Sequence, residues 1–304
     1  MQANHQRALV IVNRRGTRGS QPIDGALAVL AGAGITGSLT YVRSPRRIAG
    51  MIRDAVGRFD IIIIGGGDGT LSAAADALIG TGLVLGILPM GNANDLARTL
   101  GIPFALIAAA RVIAAGRTRP IDLGRVNGRH FFNVASVGLS VDIADRLTGE
   151  DKRRWGVLAY LRCSWEAVRA AKGFHADVIC DGTGEAIEAI QIAVGNGRHY
   201  GGGMTIVDDA TIDDGRLDLY ALPPHPWWRL MALAPVLRRG THRPLTAVHS
   251  RHGAEIRIET KRPLPVNVDG EVITKTPAAF DVVPAALRVF APDQAPGLQP
   301  IMNG

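Results

Sequence analysis

The chain has 304 residues, of which 47% are hydrophobic and 20% charged, and its formal net charge is +7. These values are typical of a globular protein long enough for two domains, and they exclude a disordered chain or an integral membrane protein. The N-terminal residues lack the pattern of a secretory signal, so we expect a cytoplasmic protein. The positive charge favours an anionic partner, which can be nucleic acid, a lipid surface or a phosphorylated substrate.

The first half alternates apolar strands with helices. Strands are predicted over 8–12, 38–42, 61–64 and 83–88, and helices over 24–33, 46–58 and 71–78. This alternation indicates a doubly wound parallel α/β sheet. The first strand ends at Asn13, which places that residue at the carboxyl edge of the sheet, where open α/β sheets bind ligands.

Residues 59–70 read FDIIIIGGGDGT. The isoleucines predict a central strand buried on both faces, and the glycines that follow let the backbone turn and expose its N–H groups. A helix opening directly after this loop favours phosphate at its N-terminus. Asp68 would repel phosphate unless a divalent cation lay between them, so the loop indicates a magnesium nucleotide. The spacing matches neither the P-loop nor the dinucleotide fingerprint, and a plain glycine-rich turn with a capping aspartate is the alternative.

A second polar turn, GNANDLAR at 91–98, follows the fourth predicted strand at the same edge of the sheet. Asp95 and Arg98 are three residues apart, so on a helix they share a face and can pair. The turn predicts a second phosphate-facing element. Taken alone, it is equally consistent with a capping aspartate and an exposed salt bridge.

The α/β rhythm breaks at PIDLG, residues 120–124, and the sequence beyond is rich in strands. We therefore predict domains over 1–122 and 123–289, with a tail over about 290–304 that packs back on the first domain. Asp122 at this boundary can reach a cleft between the domains, or it can be a turn residue that caps a strand.

Two segments, 146–174 and 223–239, combine basic residues with tryptophans at helical spacing. They predict peripheral contact with an anionic membrane surface. Core packing beneath a solvated charged face is the alternative. Aromatic content is 5% and no nucleic-acid-binding motif is present, so we do not expect a nucleic-acid partner. The sequence does not indicate an oligomeric state.

Five blocks together resemble the catalytic family of diacylglycerol kinases and bacterial YegS-type lipid kinases. They are GGGDGT (65–70), GNANDLAR (91–98), YGGGM (200–204), IDDGRLDL (212–219) and VDGE (268–271), in family order and at family spacing. GGDGT alone also occurs in NAD kinases, so that block marks only the superfamily. The resemblance implies an N-terminal α/β domain that holds ATP, a C-terminal β-sandwich domain, and an active site in the cleft between them.

The resemblance also implies roles for individual residues. Nucleotide contacts would come from Asn13, Gly65, Gly66, Gly67, Asp68, Gly69, Thr70, Leu71, Ser72 and Asn92. Asp68 would support Mg2+ and phosphate, Asp95 and Arg98 would shape the phosphate site, and Glu271 would be the proton acceptor. A magnesium ion would be held by Thr211, Asp214 and Arg216, with Asp122 joining through water.

The sequence departs from the family pattern on the nucleotide side. Asn13 is followed by Arg14 where the family usually has proline, and the segment 41–44, YVRS, lacks a nucleotide-contacting threonine at its usual place. A proline usually found before the DG block is Asp208. The first two changes concern contacts to adenosine and leave the phosphate chemistry unaffected.

The sequence thus predicts an ATP-dependent, magnesium-dependent lipid kinase with Glu271 as general base. Two alternatives stay open. An NAD kinase would carry out the same chemistry on a soluble dinucleotide. A non-catalytic nucleotide-binding module at a membrane would bind ATP without transferring phosphate.

Overall fold

The computed structural model describes residues 5–14, 19, 21–139, 173–197, 199–200, 204–205, 211–224 and 249–293. Both basic, tryptophan-bearing segments lie outside these ranges except at their outermost positions. Positions 201–203 of the YGGGM block and the chain from residue 294 onward also lie outside them. The predicted membrane-contact segments therefore stay a prediction.

The first half of the fold alternates strands and helices, as predicted. Its elements are β1 (Gln6–Asn13), α1 (Asp24–Gly32), β2 (Ile35–Val42), α2 (Ile48–Ala55), β3 (Ile61–Gly66), α3 (Asp68–Leu78), β4 (Val84–Pro89), α4 (Asp95–Thr99) and α5 (Leu106–Ala114).

Several predicted boundaries are wrong, and β2, for example, begins at Ile35 and not at residue 38. The isoleucine strand continues through Gly66, because the first glycines still pair in register with β4. The helix after it begins at Asp68 and not at residue 71. The helix predicted over 46–58 is a 3₁₀ turn (Pro45–Arg47) followed by α2, and the chain leaves helical geometry before Gly57, whose φ is +74°.

Strands β1 to β4 form a parallel sheet in the order β2-β1-β3-β4. The four isoleucines of β3 pair with β1 on one side and β4 on the other, and all four are fully buried. A strand covered on both faces needs an apolar side chain at every position, which explains the unbroken run. The predicted central strand is confirmed. The carboxyl ends of β1, β3 and β4 consequently meet at one edge of the sheet.

The second half is built of strands. They are β5 (Thr118–Val126), β6 (Arg129–Phe131), β7 (Val134–Gly138), β8 (Phe174–Cys180), β9 (Thr183–Ala189), β10 (Gln191–Gly195), β11 (His199–Tyr200), β12 (Met204–Thr205), β13 (Leu217–Leu222), β14 (His249–Gly253), β15 (Glu255–Thr260), β16 (Pro265–Val268), β17 (Glu271–Lys275) and β18 (Ala278–Phe290).

Two antiparallel layers face each other in this half. One is a six-stranded sheet in the order β14-β13-β10-β7-β16-β17. The other contains β15, β8 and β9 and pairs through β18 with β5. Buried apolar residues from both layers, Val137 and Val266 from one and Val178 and Ile258 from the other, share one core. The C-terminal half is therefore an antiparallel β-sandwich-like domain.

Strand β18 connects the halves. It pairs antiparallel with β15 near its start and parallel with β4 at Val289 and Leu85. Asp122 lies inside β5, which pairs with β18 along most of its length. The neighbours of Asp122, Ile121 and Leu123, belong to the core of the α/β half. The proposed division of the chain at residue 122 stays a prediction.

Candidate active site

The glycine turn after β3 is packed too closely for side chains. A Cβ on Gly65 would lie 3.0 Å from the Met90 sulfur, and one on Gly66 would lie 2.6 Å from the Thr70 Cβ. A Cβ on Gly67 would lie 2.9 Å from the Cα of Gly91. Gly67 is the N-cap of α3 in an extended conformation, so the chain passes directly from strand to helix at this point. The N-terminus of α3 thus opens beside bare backbone, as an anion site requires.

The first turn of α3 holds the remaining predicted loop residues. Gly69 is exposed, with nothing within 4 Å of a Cβ built on it, and Ser72 is half-buried. Leu71 is packed in the core, so any ligand contact from it must come from its backbone. Thr70 is buried, and its hydroxyl accepts a hydrogen bond from the Nδ2 amide of Asn13 at 3.0 Å. The end of β1 is therefore tied to the glycine turn.

The turn after β4 is held by two hydrogen bonds between its first and last residues, Gly91 and Asn94. Gly91 donates its N–H to Asn94 Oδ1, and Asn94 Nδ2 donates to the Gly91 carbonyl, both at 2.9 Å. Asn94 adopts the left-handed conformation with φ of 49°, which asparagine tolerates better than most residues. Asn92 lies exposed at the tip. Asn94 was missed by the sequence interpretation, although an asparagine within a Gly-Pro-rich turn is a known signal for this conformation.

Asp68 joins the two turns. Its carboxylate accepts the main-chain N–H of Leu96, in the first turn of α4, at 3.2 Å. Asp95 is buried beside Leu96, whereas Arg98 is exposed with its guanidinium 5.0 Å from the centre of the Phe104 ring. The N-termini of α3 and α4 are therefore joined at the edge at which the glycine turn lies.

A tight turn from the second half reaches Asp68. Asp269 and Gly270 connect β16 to β17 with φ of 47° and 98°, which is the type I′ pattern that Asp-Gly favours. The Asp269 carboxylate accepts the N–H groups of Phe132, Asn133 and Val134 at 3.0 to 3.1 Å. Burial raises the pKa of Asp269 to about 6, the three donors oppose this, and the nearby Asp68 carboxylate raises it further. Two carboxylates, one from each half, thus interact across the site.

Glu271 is the first residue of β17 and lies opposite Val268 across the hairpin. Its side chain is exposed, as is that of Val272. Only Gly270 separates it from Asp269 in the chain, so the backbone of Glu271 lies next to the Asp269 turn. The Asp-Gly pair between two apolar runs predicts the tight turn between β16 and β17, and the structure confirms it. The interactions of the Asp269 carboxylate are not expected from the sequence.

Asp122 holds several backbone segments together. Its carboxylate accepts the N–H of Gly215 at 2.8 Å and the N–H of Ala285 at 2.7 Å. Its main-chain carbonyl accepts the Nδ2 amide of Asn196 at 2.9 Å. Ala285 lies within a bulge of β18, with φ of 49°. The structure therefore brings Asp122 to the 211–216 turn, which is where the resemblance places the metal.

The 211–216 turn closes around Asp214. The Asp214 carboxylate accepts the N–H groups of Thr211 and Arg216 and lies 3.2 Å from the Arg216 Nε. Within the described ranges, three or more His, Cys, Asp or Glu side chains nowhere group closely enough to form a metal site. One carboxylate and neighbouring carbonyls are hard oxygen donors, which suits Mg2+ if water fills the other positions. The donor chemistry at this turn fits the ion.

Two buried asparagines next to Asp122 were not singled out from the sequence. Asn133 and Asn196 are 4% and 2% exposed, and the Asn196 N–H donates to the Asn133 carbonyl at 2.9 Å. Neither side-chain Oδ1 has a hydrogen-bond partner among the described residues. No local pattern in the sequence marks them, because their burial depends on strands far apart in the chain.

Two family models match successive parts of the chain. Residues 7–126 match the diacylglycerol kinase catalytic domain, and residues 133–291 match the YegS C-terminal NAD kinase beta sandwich-like domain. The chain belongs to the YegS and diacylglycerol kinase family. It is a kinase, and the predicted combination of an α/β domain with a β-sandwich-like domain is confirmed.

Relatives in bacteria cover most of the chain. A Pseudomonas aeruginosa protein named "Probable lipid kinase YegS-like" is 38% identical over 79% of this kinase and 80% of its own length. A Mycobacterium tuberculosis protein named "Diacylglycerol kinase" is 34% identical over 77% of each chain. A solved Bacillus anthracis diacylglycerol kinase covers 95% of this kinase and 97% of its own chain, with 21% identity and a TM-score of 0.74, a likeness of fold. Within the described residues, no helix is long and apolar enough to span a membrane.

Proposed function

We propose that this kinase transfers the γ-phosphoryl group of ATP to a hydroxyl group of a diacylglycerol-like lipid, with Glu271 as general base. The observation that carries the proposal is the position of the Asp269 turn, whose carboxylate accepts the N–H of Phe132, a residue of the α/β core, and interacts with the Asp68 carboxylate. This position supports a role for Glu271, which follows the turn on the β-sandwich half, at the edge where the glycine turn opens. The names of the bacterial relatives support a lipid as the acceptor.

The phosphates would be bound by backbone groups of both turns. The free N–H groups at the start of α3 favour negative charge, and the close Gly67–Gly91 contact removes side chains that would block the approach. Arg98, exposed at the end of α4, would offset charge on the transferring group. The Asn13–Thr70 bond would keep the first turn of α3 in place as the nucleotide binds.

Glu271 would remove the proton of the lipid hydroxyl. The hydroxyl oxygen forms a bond to the γ-phosphorus while the bond from that phosphorus to the β,γ-bridging oxygen breaks, and ADP leaves with the electron pair. The proton goes to the Glu271 carboxylate, which must lie about 2.6–3.2 Å from the hydroxyl oxygen. An exposed glutamate at the start of a strand is accessible to a substrate that enters from the surface.

Mg2+ would offset the negative charge that builds up on the phosphate oxygens. Asp68 is the residue placed to hold a nucleotide-bound ion, since it belongs to the first turn of α3. Asp214, with carbonyls of its own turn, would hold a second ion in a structural position, and Asp122 would support that turn through its bond to Gly215.

The acceptor would be taken from an anionic membrane surface. The net charge of +7 favours such a surface, and the exposed Val272 beside Glu271 offers an apolar contact for an acyl chain. A soluble dinucleotide acceptor is also anionic but would need no apolar contact. We therefore favour a lipid over NAD and propose peripheral contact with the membrane.

The test is incubation with γ-labelled ATP, Mg2+ and vesicles that each contain one lipid: diacylglycerol, ceramide, a sphingoid base or phosphatidylglycerol. NAD without vesicles forms a further arm. We expect label in a lipid product, and we expect activity to depend on vesicles. Label in NADP alone would favour the NAD kinase alternative, and ATP binding without transfer to any acceptor would favour the non-catalytic module.

A further inference from the structure

The glycine turn and the turn at 91–94 indicate which way a nucleotide would lie in the proposed site. Asp68 contacts α4 through the Leu96 N–H, and its carboxylate interacts with that of Asp269, in the turn that precedes Glu271 and bonds to Phe132 of the α/β core. Phosphoryl transfer takes place next to the general base, Glu271, so the γ-phosphate of the bound nucleotide must face this side. The rest of the nucleotide must then extend to the opposite side of β3. On that side lie β1 and, beyond it, the edge strand β2.

The ends of these strands are joined in a continuous path. The first link is the bond from Asn13 to Thr70, which connects β1 to the glycine turn. The second is the N–H of Arg14, which donates to the Val42 carbonyl at 2.9 Å and connects β1 to the end of β2. Neighbouring strands lie about 4.8 Å apart, so the end of β2 is roughly 10 Å from the glycine turn. An extended nucleotide spans a distance of this order between its terminal phosphates and its base.

At the ends of β1 and β2, the Arg14 side chain stacks on the ring of Tyr41. The Arg14 guanidinium carbon lies 4.1 Å from the centre of the Tyr41 ring, and Tyr41 is 44% exposed. Both are planar groups that stack well on the face of a nucleobase. They also lie in the two segments in which the sequence departs from the family pattern.

We propose that the Arg14–Tyr41 pair binds the base of the nucleotide by stacking, an inference that rests on the proposed function. Tyr41 presents the open part of its ring to the base, and Arg14 adds a charge-assisted contact from the adjoining strand end. The pair acts on binding of the nucleoside part and leaves the hold on the phosphates unchanged.

The test compares MgATP with inorganic tripolyphosphate, which carries the phosphates without ribose and base. Binding of both to the full chain is measured by titration calorimetry for the wild type, Tyr41→Ala, Tyr41→Phe and Arg14→Gln. Val56→Ala is the matched control, because Val56 is another exposed apolar residue of the same half, 47% exposed. Thermal unfolding of each variant checks that the fold is intact.

We expect Tyr41→Ala to weaken ATP binding about tenfold, which corresponds to about 1.4 kcal/mol, within the range for loss of one base–aromatic stack. Arg14→Gln should weaken it by a smaller factor, and Tyr41→Phe, which keeps the ring, should bind as the wild type does. Affinity for tripolyphosphate should be the same in every protein, and the Val56 control should change neither ligand.

Unchanged ATP affinity in Tyr41→Ala would overturn the inference. A parallel loss of tripolyphosphate affinity would overturn it as well, since the residue would then support the phosphate end or the fold. If the wild type binds neither ligand, the proposed function itself fails. ATP binding that is normal in all variants refutes only the role of the pair.

Discussion

The backbones of Gly67 and Gly91 are in direct contact: a Cβ built on Gly91 would lie 2.5 Å from the Cα of Gly67. These residues follow two neighbouring parallel strands, β3 and β4. Because Asp68 also bonds to Leu96, the two turns form one unit. Movement of either turn would displace both helix N-termini that face the proposed phosphate site.

Gly91→Ala should therefore damage both stability and nucleotide binding. The added methyl group meets backbone, which yields less readily than a side chain, so we expect a loss of ~1–3 kcal/mol in the free energy of unfolding. Urea unfolding and ATP titration measure the two effects. The control is Gly50→Ala in α2, where nothing lies within 4 Å of the added Cβ. That change should raise the stability by about 0.5–1 kcal/mol. A fully stable Gly91→Ala variant with normal ATP affinity would show that the contact is unimportant.

Glu271→Gln should abolish turnover while ATP affinity stays near that of the wild type. Glutamine keeps the shape of the side chain and cannot accept the hydroxyl proton, so we expect kcat to fall by at least about 10². The measurement is label transfer to the lipid identified in the vesicle assay. Glu255→Gln, an exposed glutamate at the start of β15, is the matched control and should retain full activity. Near-normal turnover in Glu271→Gln would rule out this residue as the base.

Asp122→Asn should destabilise the protein. Both carboxylate oxygens accept backbone N–H groups, and an asparagine offers only one oxygen, so one buried donor would lose its acceptor. The expected cost is about 1–3 kcal/mol in the free energy of unfolding, measured by urea denaturation. Asp281→Asn is the comparison. Its ion pair with Arg125 lies at the surface and should contribute at most about 1 kcal/mol. Equal losses for the two variants would contradict a special role for Asp122.

The raised pKa of Asp269 predicts a pH dependence of stability. The folded pKa is about 6 and the ordinary value is 3.8, so between these values the folded protein keeps a proton that the unfolded chain has released. This group's contribution to stability must then fall as the pH rises, by up to ~1.4 kcal/mol per pH unit. It is most favourable below the ordinary pKa.

Asp269→Asn cannot titrate, so it isolates this contribution. We expect the stability of the wild type relative to the variant to decrease between about pH 4.5 and about pH 6.5 in urea unfolding experiments. Carboxylates that do not interact with Asp269 titrate alike in the two proteins and cancel in the difference. A difference that does not change with pH would mean that the Asp269 carboxyl has an ordinary pKa.

The sequence predicted the parts of the site that depend on local pattern. The isoleucine run indicated a strand buried on both faces, and the glycines after it indicated the turn. Helix ends were less predictable, because α2 ends before a glycine with positive φ that the apolar spacing did not reveal. The errors are confined to boundaries and do not move the turn.

Long-range contacts could not be predicted in this way. Asp122 bonds to Ala285, which is 163 residues away in the chain and lies in a bulge of β18. The side-chain amide of the buried Asn196 donates to the main-chain carbonyls of Asp122 and Phe132, which are 74 and 64 residues away in the chain. The spacing of residues within a short stretch of sequence cannot predict such contacts, because they depend on how β18 joins the two halves of the fold.

The measurement that tests the central claim most directly is a crystal structure with Mg2+, a non-hydrolysable ATP analogue and a short-chain diacylglycerol. We predict the γ-phosphate at the start of α3 and the acceptor hydroxyl about 2.6–3.2 Å from the Glu271 carboxylate. A nucleotide bound elsewhere, or an acceptor hydroxyl on the side of the γ-phosphate away from Glu271, would contradict a shared site between the two halves.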